Sequence, residues 1–213
     1  EQLKLDFGYN KLNGNFISVG ASYDYAALGC SHHCPEDINL MKNIPNMQII
    51  VPGNAHEFDK LFSECYYKNI PKYFRLSSEE NKIKCKVKFG KALVLNQGEK
   101  VTVIAIGPVL NIVYNVCKKL NVNLVYYTTI RPFDKEALKK IKVKSNKILI
   151  VEPFYTGSIT EEVIDSFKDK KIQIENLSVP YRLLTNYGKK EQHDDDLGFN
   201  KKKFEVKLKK LLK

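Results

Sequence analysis

A short segment of this 213-residue chain gathers several side chains that can do chemistry. It runs from Gly29 to Asp37 with the sequence GCSHHCPED, and it holds two of the four histidines. Histidine side chains donate hydrogen bonds or move protons near neutral pH. Pro35 suits the first turn of a helix, and the acidic residues after it suit the positive end of a helix. The segment therefore predicts a polar loop that enters a helix, where backbone N–H groups can receive an anionic or strongly polar ligand.

Three interpretations of this segment compete. The first is a metal site, whose candidate ligands are Cys30, His32, His33 and Cys34. Five consecutive residues cannot easily place four ligands tetrahedrally, and the usual spacing of paired ligands is missing. The second is a structural loop that caps the helix while the two cysteines pack as small apolar groups. The third is a loop that binds a substrate.

The elements around this loop must position it, and short apolar segments predict several of them. Residues 16–20 and 47–51 are typical of short buried strands, and residues 73–76 predict another short strand. Asn54 and Glu57 predict a capping box at the start of a helix, with Asn54 as the cap and Glu57 reaching back to it. A strand, a helix and a strand at this spacing predict parallel pairing through a right-handed crossover.

A polar, lysine-rich stretch at residues 77–91 predicts a domain boundary. Beyond it, residues 92–95 and 101–106 predict an antiparallel hairpin, and Pro108 predicts the first turn of a helix. A βαβαβ series is predicted over residues 122–127, 134–141, 148–151, 158–167 and 172–177. The predicted fold class is α/β, with two tandem three-layer domains whose sheets are mainly parallel. The domains are residues 1–80 and 81–213.

The net charge of +11 comes almost entirely from lysine, and seven of the lysines lie in residues 201–213. That stretch predicts a C-terminal helix whose apolar side is formed by Phe204, Val206, Leu208, Leu211 and Leu212. Its lysines predict a solvated face, because no interleaved arginines and aromatic residues accompany them as in a nucleic-acid site. We therefore expect no nucleic-acid partner.

Localisation is predicted from what the sequence lacks. No apolar run approaches the ~20 residues that span a bilayer, so no membrane association is expected. The first six residues lack the basic start and apolar stretch of a signal peptide. The five cysteines are odd in number and never spaced C-x-x-C, which disfavours a disulfide framework. These features predict a soluble, cytoplasmic protein.

Several segments, taken in order, resemble the transketolase family. Residues 29–38, residues 41–52 (MKNIPNMQIIVP) and Glu57 resemble its pyrimidine-binding domain, and residues 70–76 (IPKYFRL) resemble the next strand of that domain. Three later segments resemble the family's C-terminal domain: residues 101–107 (VTVIAIG), residues 129–134 (TIRPFD), and Val151-Glu152 with Gly157-Ser158. The resemblance extends from Glu1 to about Leu212.

The resemblance implies an enzyme that uses thiamine diphosphate and magnesium to transfer a two-carbon ketol unit between sugars or sugar phosphates. It implies that His32 is the catalytic histidine, which hydrogen-bonds the hydroxyl groups of the donor sugar. Ser31 and His33 would be neighbouring substrate-binding residues, and Arg75 a candidate contact for an anion. The alternative for Arg75 is an arginine paired with Glu79 or Glu80.

The departures from the family concern the cofactor. This sequence has no counterpart of three family features. They are the catalytic glutamate, the aromatic residue that stacks on the aminopyrimidine, and the Gly-Asp-Gly motif that binds the diphosphate. No residue of the chain is therefore assigned to the cofactor or to a metal, and the chain alone is expected to be inactive. It is expected to work as part of a homodimer or with a pyrophosphate-binding subunit or domain.

Two substrate positions also differ from the family. Leu28 stands where the family often has aspartate, and Ser78 where an arginine commonly binds the sugar phosphate, so an unphosphorylated or unusual acceptor is a hypothesis. A deoxyxylulose-phosphate synthase is the rival enzyme, although residues 75–79 (RLSSE) depart from its usual Arg-Tyr-Pro-Arg-Gly. Beta subunits of oxo-acid dehydrogenases fit less well. From different classes of protein, a non-catalytic dimerisation or scaffold module and a metal-binding module remain open.

Overall fold

The computed structural model describes residues 1–141, 144–168 and 170–213. The chain begins with a wide helical turn at Leu3–Tyr9. The strands are β1 (Asn15–Ser18), β2 (Gln48–Ile50), β3 (Lys72–Arg75), β4 (Leu93–Asn96), β5 (Thr102–Ile106), β6 (Asn123–Tyr127), β7 (Thr129–Arg131), β8 (Lys147–Tyr155) and β9 (Gln173–Val179). The α-helices are α1 (Asp37–Lys42), α2 (Ala55–Cys65), α3 (Leu110–Cys117), α4 (Lys135–Lys139), α5 (Thr160–Ser166), α6 (Lys190–Leu197) and α7 (Lys201–Leu212).

The first sheet has four strands in the order β1-β3-β2-β7. Strands β1, β3 and β2 are parallel, and α2 makes the crossover between β2 and β3, as the sequence predicts. Strand β7 comes from the second half of the chain and lies antiparallel to β2 at the edge of this sheet. The two halves of the chain therefore share a sheet.

The second sheet has five strands in the order β4-β6-β5-β8-β9. Strands β6, β5, β8 and β9 are parallel, and β4 is antiparallel to β6 at one edge. Two mainly parallel sheets with connecting helices confirm the predicted α/β class. The division between residues 80 and 81 stays a prediction.

The predicted hairpin of residues 92–95 and 101–106 is wrong. Strand β4 pairs with β6, and β6 separates it from β5. The Asn96 side chain at the end of β4 donates hydrogen bonds to the carbonyl oxygens of Cys117, Leu120 and Val122, the last at 2.8 Å. These bonds hold β4 against the segment that leads into β6, and so they compete with a simple hairpin.

The start of α2 follows the predicted cap only in part. The Asn54 side chain accepts a hydrogen bond from the backbone N–H of Glu57 at 3.0 Å, as predicted. The Glu57 carboxylate does not reach back to Asn54. It accepts instead from the Gly53 N–H at 2.7 Å and from the Tyr126 hydroxyl of β6, also at 2.7 Å. Glu57 thereby joins α2 to the second sheet.

The core is continuous across the two sheets. Ile50 and Phe74 of the first sheet belong to the same buried cluster as Val103 and Leu124 of the second. Helix α7 closes this cluster with Phe204, Leu208 and Leu211, which confirms the predicted C-terminal helix. Val206, expected on its apolar side, is 57% exposed, because it lies on the lysine face of the helix.

Two further findings concern the chain as a whole. Among the described residues, no helix is long and apolar enough to cross a membrane. All five cysteines are free thiols.

Candidate functional site

Residues 22–34, here called the His32 loop, form a loop that is closed at its base. The backbone N–H of Cys34 donates to the carbonyl oxygen of Ser22 at 2.9 Å, where the two residues form a single antiparallel bridge. Two short helical turns lie within the loop, at Ala26–Leu28 and Cys30–His32. Helix α1 follows the loop and begins at Asp37, two residues later than the Pro35 start that the sequence favours. The loop is therefore a compact unit with fixed ends.

His32 and Ser31 lie together on the exposed side of the His32 loop. The Ser31 hydroxyl lies 3.1 Å from Nδ1 of His32, and either atom can be the donor. In the described part of the chain, this is the only hydrogen bond of the His32 ring, so Nε2 remains available to a ligand. An exposed imidazole with one fixed nitrogen is suited to hydrogen-bond an oxygen of such a ligand.

Tyr187 packs against the turn that carries His32. Gly29 has φ +78°, in the left-handed region that favours glycine, and a Cβ atom there would lie 2.8 Å from Cε1 of the Tyr187 ring. Gly29 is thus required both by its backbone conformation and by this close approach. The Tyr187 side chain is 75% exposed and forms part of the surface beside Gly29.

His33 points the opposite way from its neighbour and is buried. Its ring lies edge-on to Tyr23 with the centroids 4.9 Å apart, and edge-on to His193 of α6 with the centroids 5.4 Å apart. Burial, and next the adjacent His193, lower the pKa of His33 below its ordinary value. The structure therefore brings His32 and Ser31 together on the surface and places His33 behind them.

Arg75 lies at the base of the His32 loop with only 1% of its side chain exposed. Its Nε pairs with Oδ2 of Asp37 at 2.7 Å, and its Nη2 donates to the Ser22 hydroxyl at 2.9 Å and to the Cys34 carbonyl at 3.4 Å. The alternative that paired Arg75 with a glutamate at 79 or 80 is wrong, because the arginine turns inward to Asp37. One guanidinium thus contacts both ends of the loop.

The sequence analysis did not predict the roles of three residues at this site. Asp37 is expected from its position to interact favourably with the positive end of the helix dipole. In the structure it is the ion-pair partner of Arg75 and also accepts a hydrogen bond from the Tyr73 hydroxyl at 2.8 Å. Tyr187 and His193 lie about 155 residues or more beyond the loop, in a segment without a recognisable motif. No local pattern could have found them, since only the tertiary fold brings them to the loop.

The residues of the loop do not assemble a metal centre or an activated thiol. Among the described residues, no group of three or more His, Cys, Asp or Glu side chains is placed to hold a metal ion. Burial, together with Asp37 and Glu36, raises the pKa of Cys34 to about 11, so its thiol stays protonated near neutral pH. Hydrogen bonding by His32 and Ser31 is the chemistry that this geometry offers.

Comparison with known families assigns both halves of the chain. Residues 1–82 match the model of the transketolase pyrimidine binding domain. Residues 90–203 match the model of the transketolase C-terminal domain. The first match includes the His32 loop and Arg75, and the second includes Tyr187 and His193.

Individual relatives agree with these matches. An uncharacterized 33.6 kDa protein in the fasciation locus of Rhodococcoides fascians is 32% identical over 200 residues, which are 93% of this chain and 61% of the relative. A subunit of an apulose-4-phosphate transketolase from Phocaeicola vulgatus is 26% identical over 192 residues, 84% of this chain and 61% of the relative. The chain thus spans about three fifths of the length of these relatives.

A solved structure shows the same fold. It is that of a split gene transketolase in the form of an inactive beta4 tetramer, which superposes with a TM-score of 0.78 at 20% identity. The superposition covers 99% of this chain and 70% of that one.

Proposed function

This chain belongs to the transketolase family, and we propose that it is the C-terminal part of a thiamine diphosphate-dependent enzyme that transfers a two-carbon ketol unit between sugars. The observation that carries the proposal is His32. Its motif resembles that of the family's active-site histidine, and it stands exposed on a loop whose ends are both held by the buried Arg75.

The described residues of this chain do not fit the diphosphate end of the cofactor. That end is held through a metal ion, and no suitable group of metal ligands exists among the described residues. We therefore derive no step through the cofactor. In the proposal, thiamine diphosphate and magnesium are held mainly by another domain or subunit, either in a homodimer or in a complex with a pyrophosphate-binding subunit.

The proposed part of this chain in the reaction is hydrogen bonding. A ring N–H at Nε2 of His32 donates to a hydroxyl or carbonyl oxygen of the sugar and stabilises negative charge that develops there. Ser31 fixes the ring from the Nδ1 side. His33 and Arg75 are buried, so we propose that they serve the substrate by holding the loop in place.

We also propose that the acceptor sugar is unphosphorylated or otherwise unusual. Ser78 stands where the family commonly has a phosphate-binding arginine, and its backbone N–H donates to the Asp24 carboxylate at 2.8 Å. The Ser77 hydroxyl donates to the same carboxylate at 3.1 Å. A carboxylate beside this position repels a phosphate group, because like charges repel. Turnover by the intact enzyme with free and phosphorylated acceptors tests this, and strict dependence on phosphate would refute it.

The experiment that tests the proposed function is a ketol-transfer assay on the full-length gene product together with any pyrophosphate-binding partner, in the presence of thiamine diphosphate and magnesium. We expect His32→Ala to lower kcat/KM at least tenfold, which corresponds to ~1.4 kcal/mol of transition-state stabilisation. His56→Ala is the matched control, since His56 is exposed on α2, outside the loop, and should leave the rate unchanged.

Each outcome separates the competing functions. Transfer that is insensitive to His32→Ala would keep the family reaction and reject the site. Formation of deoxyxylulose phosphate from pyruvate and glyceraldehyde phosphate would favour the synthase. Absence of turnover with any common ketose, while the chain still forms its complex, would favour the scaffold module.

A further inference from the structure

A buried cluster of three rings lies directly behind the His32 loop. It consists of Tyr23 and His33 from the loop and His193 from α6, with centroid distances of 4.9, 5.4 and 5.7 Å. The two histidines and the tyrosine are all buried, the tyrosine almost completely. Helix α6 thus reaches the back of the loop through His193, and its Leu197 packs against the buried cluster that includes Tyr23 and Ala26.

The polar atoms of this cluster are poorly satisfied. In the described structure, the Tyr23 hydroxyl and Nε2 of His193 are buried without a hydrogen-bond partner, and the His33 ring has only the Ala26 carbonyl as a polar neighbour. Buried polar groups are normally paired, because an unpaired group loses its hydration and gains nothing in return. The contact therefore favours a neutral His33, because a positive charge on its ring would be buried against the His193 ring.

The charged groups around the cluster do not make a positive charge on His33 favourable. On α6, Asp194 is already paired with Lys190 at 2.6 Å, and Lys190 also pairs with Glu79. On the loop side, His32 disfavours a charge on His33, whereas Glu36 and the nearby Ala26 carbonyl favour one. Burial and His193 outweigh them, so the pKa of His33 is lowered overall. Tyr155 and Arg182 complete the surroundings of Tyr23.

We propose that His193 is a positioning residue, which holds the His32 loop through Tyr23 and His33, and that this hold loosens when the buried His33 imidazole takes up a proton. This inference rests on the proposed function only in giving the loop a catalytic purpose. Its consequence is that the geometry of His32 depends on α6, a helix about 160 residues away in the sequence.

The direction of the pH effect follows from linkage. A histidine whose pKa is lower in the folded protein than in the unfolded chain favours folding fully above its unfolded value, near 6.5. As the pH falls below that value, the unfolded or locally open state binds protons first. The contact between α6 and the loop should therefore weaken on acidification from about pH 7.5 to pH 5.5.

Hydrogen exchange on the full-length protein measures the loop without requiring activity. For the wild type, we expect amides of a peptide covering residues 29–34 to exchange at least threefold faster at pH 5.5 than at pH 7.5, after correction for the intrinsic pH dependence. His193→Ala removes the ring against which His33 is buried, so this acceleration should shrink by at least half. His193→Gln is the second variant should the alanine impair folding, and the exposed His56→Ala is the control.

The outcomes are decisive in either direction. The same acceleration in wild type, His193→Ala and His193→Gln, or none in the wild type, would overturn the proposal. In the transfer assay, both variants should flatten the acid side of the pH profile of kcat, a change that a merely structural role would not produce. Loop coupling without transfer would refute the proposed function alone, and transfer with a loop indifferent to His193 would refute this inference alone.

Discussion

At the scale of single residues, Arg75 shows how a buried charge can define a surface site. Its guanidinium pairs with Asp37, stacks 5.5 Å from the centre of the Phe154 ring, and bonds the two ends of the His32 loop. A buried ion pair adds little net stability, because desolvation of both charges offsets their attraction. The role of the Arg75 guanidinium is to fix positions, because its several N–H groups can donate to several oxygen atoms at once.

Removing one partner of this pair should be costly. We expect Asp37→Asn or Arg75→Met to lower the free energy of unfolding by about 3–5 kcal/mol, because the remaining charge is left buried and unpaired. Urea denaturation measures the change. The control is Arg182→Ala, which breaks a pair between exposed side chains, Arg182 and Asp196, and should change stability by less than about 1 kcal/mol. Equal effects in the two sets would show that the buried pair is not special.

At the scale of helices and strands, a contact could be predicted from the sequence only when its partners lie close together along the chain. Asn54 caps α2 as predicted, because the cap needs only a bond to the third residue after it. The role of Glu57 could not be predicted, since its partner Tyr126 is 69 residues away. The partner of β4 was missed for the same reason: the apolar pattern defines a strand but does not identify its neighbour.

The cap at α2 can be tested by itself. Asn54→Ala should lower the free energy of unfolding by about 1 kcal/mol, because the N–H of Glu57 loses its acceptor at the helix start. Asn54→Asp keeps an acceptor at that position and should recover most of the loss, although it gives up the bond from the Asn54 amide to the Asn81 carbonyl. If aspartate were as destabilising as alanine, the contact with Asn81 rather than the cap would be the important one.

The candidate site also has a part that depends on neighbouring residues in the sequence and a part that depends on distant ones. The placement of His32 and Ser31 on a loop before a helix could be predicted, because the motif is contiguous in sequence. The inward turn of His33 could not, since the contact that makes it favourable comes from His193. Sequence reasoning thus located the loop and missed what lies behind it.

At the scale of the whole molecule, a third buried acid, after Asp37 and Glu57, lies where the halves of the chain meet. Glu152 of β8 accepts from the Gly157 N–H at 2.9 Å, and its Oε2 has no partner in the described structure. Close by, Lys42 of α1 pairs with Glu162 of α5 at 2.7 Å and joins the helix after the His32 loop to the second sheet's helices. Burial raises the pKa of Glu152 to about 8.

This pKa makes stability depend on pH with a definite sign. Between 4.5, the ordinary value, and about 8, the folded protein holds a proton at Glu152 that the unfolded chain has released, so stability falls as the pH rises through this range. Glu152→Gln removes the effect. The stability of this variant relative to wild type, measured by urea unfolding at pH 5, 6.5 and 8, should therefore increase with pH. The exposed Glu161→Gln is the control, and a difference that is constant with pH would contradict the assignment.

The position of β7 affects the outcome of limited proteolysis between the two halves of the chain. The strand belongs by sequence to the second half, yet it lies against β2, and the Val51 N–H adds a bond to the Thr128 carbonyl at 2.8 Å. A protease that cleaved the exposed lysines between residues 82 and 88 would sever the backbone while leaving the sheet intact. The two fragments would stay interlocked and elute as one species, visible as separate polypeptides only after denaturation.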